Sequence, residues 1–165
     1  MNIEARPLTR DGFNPFGDVL MGLGNGPERH EFAARFQNPR EDARPNLTFM
    51  RVPVEYGAIV IRTLERHPYS NQVFVPLSGT SHLVVVCPSM PGGEPDLGGL
   101  SAFIATGSQA VNYGADVWHA PRTALGAPGE FVMFRWDNGS DSDTEVIALE
   151  SAIAVTRGDD HGLRR

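Results

Sequence analysis

Glu65-Arg66-His67-Pro68-Tyr69-Ser70-Asn71-Gln72-Val73-Phe74-Val75-Pro76-Leu77-Ser78-Gly79 is the stretch that decides how the chain reads. Glu65 and His67 lie two residues apart, so on a strand their side chains share a face. Pro68 and the Tyr69-Ser70-Asn71 run end that strand in a turn. Gln72 opens a second strand, with Val73, Phe74 and Val75 behind it, and Pro76 and Gly79 close it. Just upstream, Ala58 to Leu64 is β-prone and runs straight into Glu65. Ile59, Ile61 and Thr63 share the parity of Glu65 and His67, so alternation predicts an apolar column that ends in two polar groups inside a barrel.

Outward from this stretch the chain alternates short strands with Gly/Pro turns, the pattern of a sandwich or barrel. Leu47–Val52, Ser81–Cys87, Ser101–Ala105, Gln109–Tyr113 and Phe131–Trp136 read as strands. Glu145–Val155 is β-prone, with a partly helical course as the alternative. Thr9 is a candidate N-cap for a short helix through Phe13. Gly22–Glu31, Pro39–Pro45 and Pro88–Gly99 read as loops, and Arg157–Arg165 as a charged, disordered tail. At 165 residues the chain is one domain, residues 1–165.

Composition excludes several classes of function. The net charge of −6 argues against a nucleic-acid or anionic-membrane partner. No signal peptide or membrane span is legible, and the single Cys87 fits a reducing cytoplasm. Cys87 lies in an apolar run and reads as an inert buried thiol. The sequence contains no Lys, which removes Schiff-base and P-loop lysine chemistry and leaves Arg, His or backbone N–H groups to hold an anion. Neither a Gly-x-Ser-x-Gly elbow nor a dinucleotide-binding glycine motif is present. His82 reads as a core or rim histidine. His119, in Val117-Trp118-His119-Ala120-Pro121 after Gly114, is the second anchor beside Glu65 and His67.

The spacing Glu-x-His, four residues, Gln, six residues, Gly resembles the first motif of the cupin barrels, and the Gly114 to Pro121 segment resembles the second. Glu65 stands where that motif has its first His, His67 matches the second, Gln72 stands at the Glu, and Gly79 matches the closing Gly. The resemblance implies an all-β, cupin-like barrel (a double-stranded β-helix or jelly roll) with a short N-terminal helical arm. It gathers Glu65, His67, Gln72 and His119 as candidate ligands of a divalent metal. With only two imidazoles the site would be weak and the ion loosely held, nickel or manganese being implied by the family.

Leu64-Glu65-Arg66-His67-Pro68, Gln72-x-Phe74-x-Pro76, Val111-Asn112-Tyr113 and Val117-Trp118-His119-x-Pro121 resemble, more narrowly, the ureidoglycolate lyase family. Asn25-Gly26 and Arg51 also fit, and the similarity spans Phe13 to Leu149. It implies a reaction that splits ureidoglycolate into glyoxylate and urea in allantoin and purine breakdown, in a cytoplasmic homodimer. Leu47–Val52 is the candidate interface strand. The chemistry is general acid–base work, assigned to His67, His119 and Glu65. Arg51 is the expected partner of the substrate carboxylate, Gln72 and Asn112 of its ureido group, and Trp118 a pocket wall, with a core role as its alternative. One departure stands out. The family carries Asp-Arg-Gly after its last barrel strand, where this chain reads Arg135-Trp136-Asp137-Asn138-Gly139. The Arg is therefore expected to be displaced or lost, and a relative of ureidoglycolate becomes an alternative substrate. Two competing functions fit the same motifs: a non-catalytic cupin that binds a small acid, and a metal-dependent isomerase or dioxygenase.

Overall fold

The computed structural model describes residues 1–157, and the expected tail lies outside them except for Arg157. The chain runs β1 (Asn2–Pro7), α1 (Arg10–Phe13), β2 (Gly17–Leu20), β3 (Arg44–Val52), β4 (Val54–Glu55), β5 (Ile59–Arg66), β6 (Gln72–Pro76) and β7 (Gly79–Cys87). It continues through β8 (Ser101–Gly107), β9 (Ala110–Tyr113), β10 (Trp118–His119), β11 (Thr123–Leu125), β12 (Gly129–Asp137) and β13 (Glu145–Arg157). Thr9 caps α1 as expected, its hydroxyl accepting from Gly12 N at 3.1 Å. Glu145–Arg157 is strand throughout, so the helical alternative fails and Arg157 belongs to the barrel rather than the tail. The charged 39–45 excursion is shorter than expected, because Arg44 and Pro45 already pair with Asp137 and Trp136 at the start of β3.

Two sheets form the molecule. β5, β13, β1, β8, β7 and β10 close on themselves, since the two-residue β10 pairs with both β5 and β7; β11 and β4 extend this sheet beyond β7. The second sheet has the order β2-β9-β6-β12-β3. The all-β, cupin-like barrel read from the sequence is thus what the chain forms, with α1 a minor element.

Alternation along the closed strands sorts side chains into two cores. Leu83, Val85 and Cys87 point into the closed barrel with Ala5, Trp118 and Ile153. Val84 and Val86 point the other way, and with Phe103 they meet Phe74, Val111, Tyr113 and Phe131 from the second sheet. β7 is therefore buried on both faces, which explains its unbroken apolar run.

Along β5 the expected column does not form. Ile59 and Ile61 pack inside the closed barrel together with Leu64. Ile61 and Leu64 are three residues apart, so alternation breaks between them. The break coincides with a register shift against β13, from Ile61↔Ile153 to Thr63↔Ala148. The shift frees Glu65 to face the second sheet.

Candidate active site

Glu65, His67 and His119 meet where β5 and β10 face the second sheet. Glu65 and His119 are register partners, which places their side chains on one face. Glu65 Oε1 lies 3.3 Å from His119 Nε2. One ligand atom from each of Glu65, His67 and His119 falls within 4.8 Å of the others. Both imidazoles are buried, while the Glu65 side chain is 29% exposed and opens the cluster to solvent.

Each histidine is oriented by its other nitrogen. His119 Nδ1–H donates to the Val117 carbonyl at 3.0 Å, and His67 Nδ1–H donates to the Asp143 carbonyl at 3.0 Å. These bonds assign the tautomers and leave both Nε2 lone pairs directed at the cluster. The Tyr113 ring lies flat on His119, with centroids 4.4 Å apart and 9° between planes. Its hydroxyl accepts from Arg122 Nη2 at 3.1 Å. Arg122 in turn lies over Phe74, 4.0 Å from the ring centroid.

The electrostatics follow from burial and pairing. Burial, then the nearby His119, pushes His67 down to about 4, so it is neutral at pH 7. The His119 ring beside it, 3.3 Å away, holds the Glu65 carboxyl below the usual carboxylate range, against the opposing effect of burial. His82 and Cys87, which read as core residues in the sequence, are both fully buried, and burial drives them to about 3 and about 12.

The structure brings Gln72 to the cluster. It pairs in register with Tyr113 and Arg135, so all three share the face that looks across at the histidines. Its Oε1 is buried without a protein partner, as are Nε2 of His67 and Nε2 of His119. Orphaned acceptors of this kind, beside a carboxylate, fit a divalent cation with nitrogen and oxygen ligands.

Three other expected site residues lie elsewhere. Arg51 points away from the cluster on the outer face of β3, 70% exposed, and its Nε donates to Glu130 at 3.1 Å. Asn112 follows Val111 and precedes Tyr113, so alternation turns it out of the inter-sheet core. There its carboxamide accepts from Asn71 Nδ2 at 2.8 Å and donates to Asp18 at 3.1 Å. Trp118 occupies the face opposite His119, inside the closed barrel, where its indole N–H donates to Gly93 O at 3.0 Å.

Sequence reasoning missed Tyr113, Arg122 and Arg135. Arg135 sits with Nη1 3.4 Å from His67 Nδ1 and donates to Thr144 Oγ1 at 2.9 Å. A signal was available for it, since it shares the inward parity of Phe131 and Met133 on β12. Its Nε donates to Asp137 Oδ2 at 3.1 Å, which leaves Nη1 and Nη2 on the side of the histidines and Thr144.

A cupin-like barrel with two imidazoles and a carboxylate gathered between its two sheets is the arrangement of cupin-like small-molecule enzymes. Residues 1–156 match the family model described as ureidoglycolate lyase, and the chain belongs to that family. A ureidoglycolate lyase from Mesorhizobium japonicum is 38% identical, covering 93% of this chain and 96% of the relative. Another from Schizosaccharomyces pombe is 32% identical, covering 93% and 94%. Among solved structures, RmlC from Streptococcus suis is similar over 60% of this chain and 46% of its own, at 14% identity and a TM-score of 0.42.

Proposed function

We propose that the protein is a ureidoglycolate lyase, releasing glyoxylate and urea. The observation that carries this is the family match over residues 1–156, joined to the Glu65, His67 and His119 cluster at its centre. The substrate is a hemiaminal that carries a carboxylate. Its hydroxyl must lose a proton as the carbonyl forms, and the departing nitrogen must gain one as the C–N bond breaks. The Glu65–His119 pair takes the hydroxyl proton and returns it to the urea nitrogen, so no net proton is consumed. His67, held neutral, presents its Nε2 lone pair to the same space. The Gln72 carboxamide meets the ureido group. With Arg51 turned outward, Arg135 is the cation that holds the carboxylate, taking the place of the displaced family Arg.

Glu65, His67, Gln72 and His119 would hold a loosely bound divalent ion, nickel or manganese, which when bound would stabilise developing negative charge on oxygen. The protein acts in allantoin and purine breakdown, as a cytoplasmic homodimer. Among the described residues, no helix is long and apolar enough to cross a membrane. Leu47 and Phe49 are 72% and 62% exposed on the outer face of β3, across Val132 of β12 from Val75 of β6, and this apolar strip is the proposed dimer surface. Phe49→Glu should then yield monomers, and light scattering that shows a wild-type monomer at micromolar concentration would remove the proposal.

The deciding experiment incubates the purified protein with ureidoglycolate and measures urea and glyoxylate. It is repeated after exhaustive chelation and again after metal add-back. Binding without turnover in every sample would overturn the lyase reading. Full activity in the chelated sample, unchanged by added metal, would remove the metal and leave Glu65, His67, Gln72 and His119 to act on the substrate directly.

A further inference from the structure

A cavity of about 630 Å³ opens on the opposite side of β5 and β10 from the Glu65–His119 pair. Its wall is made by the sequence neighbours of the site residues. Arg66 lies between Glu65 and His67, Trp118 precedes His119, and alternation turns both toward the closed barrel. Leu97, Ile147 and Leu149 complete an apolar interior. The volume is that of a small-molecule pocket.

The wall is firmly built. The Arg66 guanidinium lies 4.9 Å from the Trp118 ring centroid and bridges Asp116 at 2.7 Å and Glu145 at 2.6 Å. Gly93, at φ +95°, passes so close that a Cβ there would fall 2.7 Å from Arg66 Nη2. Its carbonyl accepts from the Trp118 indole.

Charge at the rim is acidic on balance. Glu94, Glu145 and Glu150 line the cavity against Arg66 and the amino group of Met1. Arg66 is already committed to two carboxylates, and the Met1 ammonium donates to Ala152 O at 3.3 Å. The cavity thus joins an apolar interior to a rim with surplus negative charge.

We propose that this cavity is a second ligand site, distinct from the His67/His119 cluster, which takes a small molecule with an apolar body and a cationic group. The apolar body lies against Leu97, Leu149 and Trp118, and the cation meets Glu94 and Glu150. The site stands independently of the lyase reading, because none of the groups assigned to the reaction lines it.

Isothermal titration of the full chain with n-hexylammonium, n-hexanol and hexanoate tests the proposal. Saturable hexylammonium binding is expected, with hexanoate weaker by about tenfold or more, as a cluster of rim carboxylates would impose. Leu149→Trp fills the cavity and should abolish binding. Because that variant changes a wall residue, the Glu94→Gln/Glu150→Gln pair provides an independent check. It leaves the interior intact and should bring hexylammonium and hexanol within about twofold of each other. Absence of saturable heat into the millimolar range would overturn the site. So would hexanoate binding as tightly as hexylammonium, or binding that persists unchanged in folded Leu149→Trp.

Discussion

At the residue scale the site depends on where single side chains point. His119 lies on β10 and His67 just past the end of β5, yet each commits Nδ1 to a backbone carbonyl and leaves Nε2 facing the cluster. Alanine at either should lower kcat by roughly 10² or more, the typical loss for an acid–base group. Steady-state assay with circular dichroism as a fold control checks this, and wild-type turnover in both variants would overturn the assignment. The two arginines give a sharper contrast. Arg135 reaches within 3.4 Å of His67, whereas Arg51 faces Glu130 on the outside. Arg135→Met should raise KM for ureidoglycolate by roughly tenfold to a hundredfold, the worth of a charge-assisted carboxylate contact. Arg51→Met should change it by less than about threefold, as expected of an exposed ion pair. Equal effects in the two variants would remove Arg135 as the carboxylate's partner.

At the element scale, strand alternation decides what faces the site. β9 sends Val111 and Tyr113 inward and Asn112 outward, into a network with Asn71 and Asp18. Asn112 is fully buried, so its carboxamide serves to tie β9 to β2 and to the turn before β6. Asn112→Ala should cost about 1–3 kcal/mol in urea unfolding, the penalty for orphaning buried partners, while kcat stays near wild type. A large fall in kcat at unchanged stability would instead place Asn112 in the site. The same alternation explains what the sequence made legible. The Glu65/His67 spacing was readable because short-range parity holds over two residues, and His119 because its setting resembles the second cupin motif. The inward turn of Arg135 followed from the parity of Phe131 and Met133 on β12 but competed with the family pattern of Asp-Arg-Gly. The break in alternation between Ile61 and Leu64, which turns Glu65 away from the Ile59 and Ile61 face, was not readable, because the register shift against β13 is a long-range event with no local signature. Arg122 was equally hidden. It follows the two-residue β10 and Pro121, where no strand is long enough to reveal a period.

At the scale of the whole molecule, two buried histidines set how stability responds to acid. His82 lies between the sheets against Phe131, with both ring nitrogens lacking partners and the Arg122 guanidinium nearby. Burial first, and Arg122 second, push it to about 3, and His67 is held at about 4, against an unfolded value near 6.5. The unfolded chain therefore binds protons at a pH where the folded chain does not. Stability from these groups is complete above about pH 6.5 and falls as pH drops through the window toward 3 and 4, each histidine removing up to about 1.4 kcal/mol per pH unit. Glu65 and Asp143 are lowered carboxyls. They also lose stability in acid, but only below the ordinary carboxyl range near pH 4. Between pH 6.5 and 5 the slope therefore belongs to the histidines. His82→Leu removes one proton-linked group and two orphaned nitrogens from an apolar site. Its stability at pH 7 should match or exceed wild type, and its slope over pH 6.5–5 should be flatter by about 1 kcal/mol per unit. Urea unfolding at four pH values across that window measures both. An unchanged slope in the His82→Leu protein would mean that His82 titrates normally in the folded chain, and that water or an anion reaches it between the sheets.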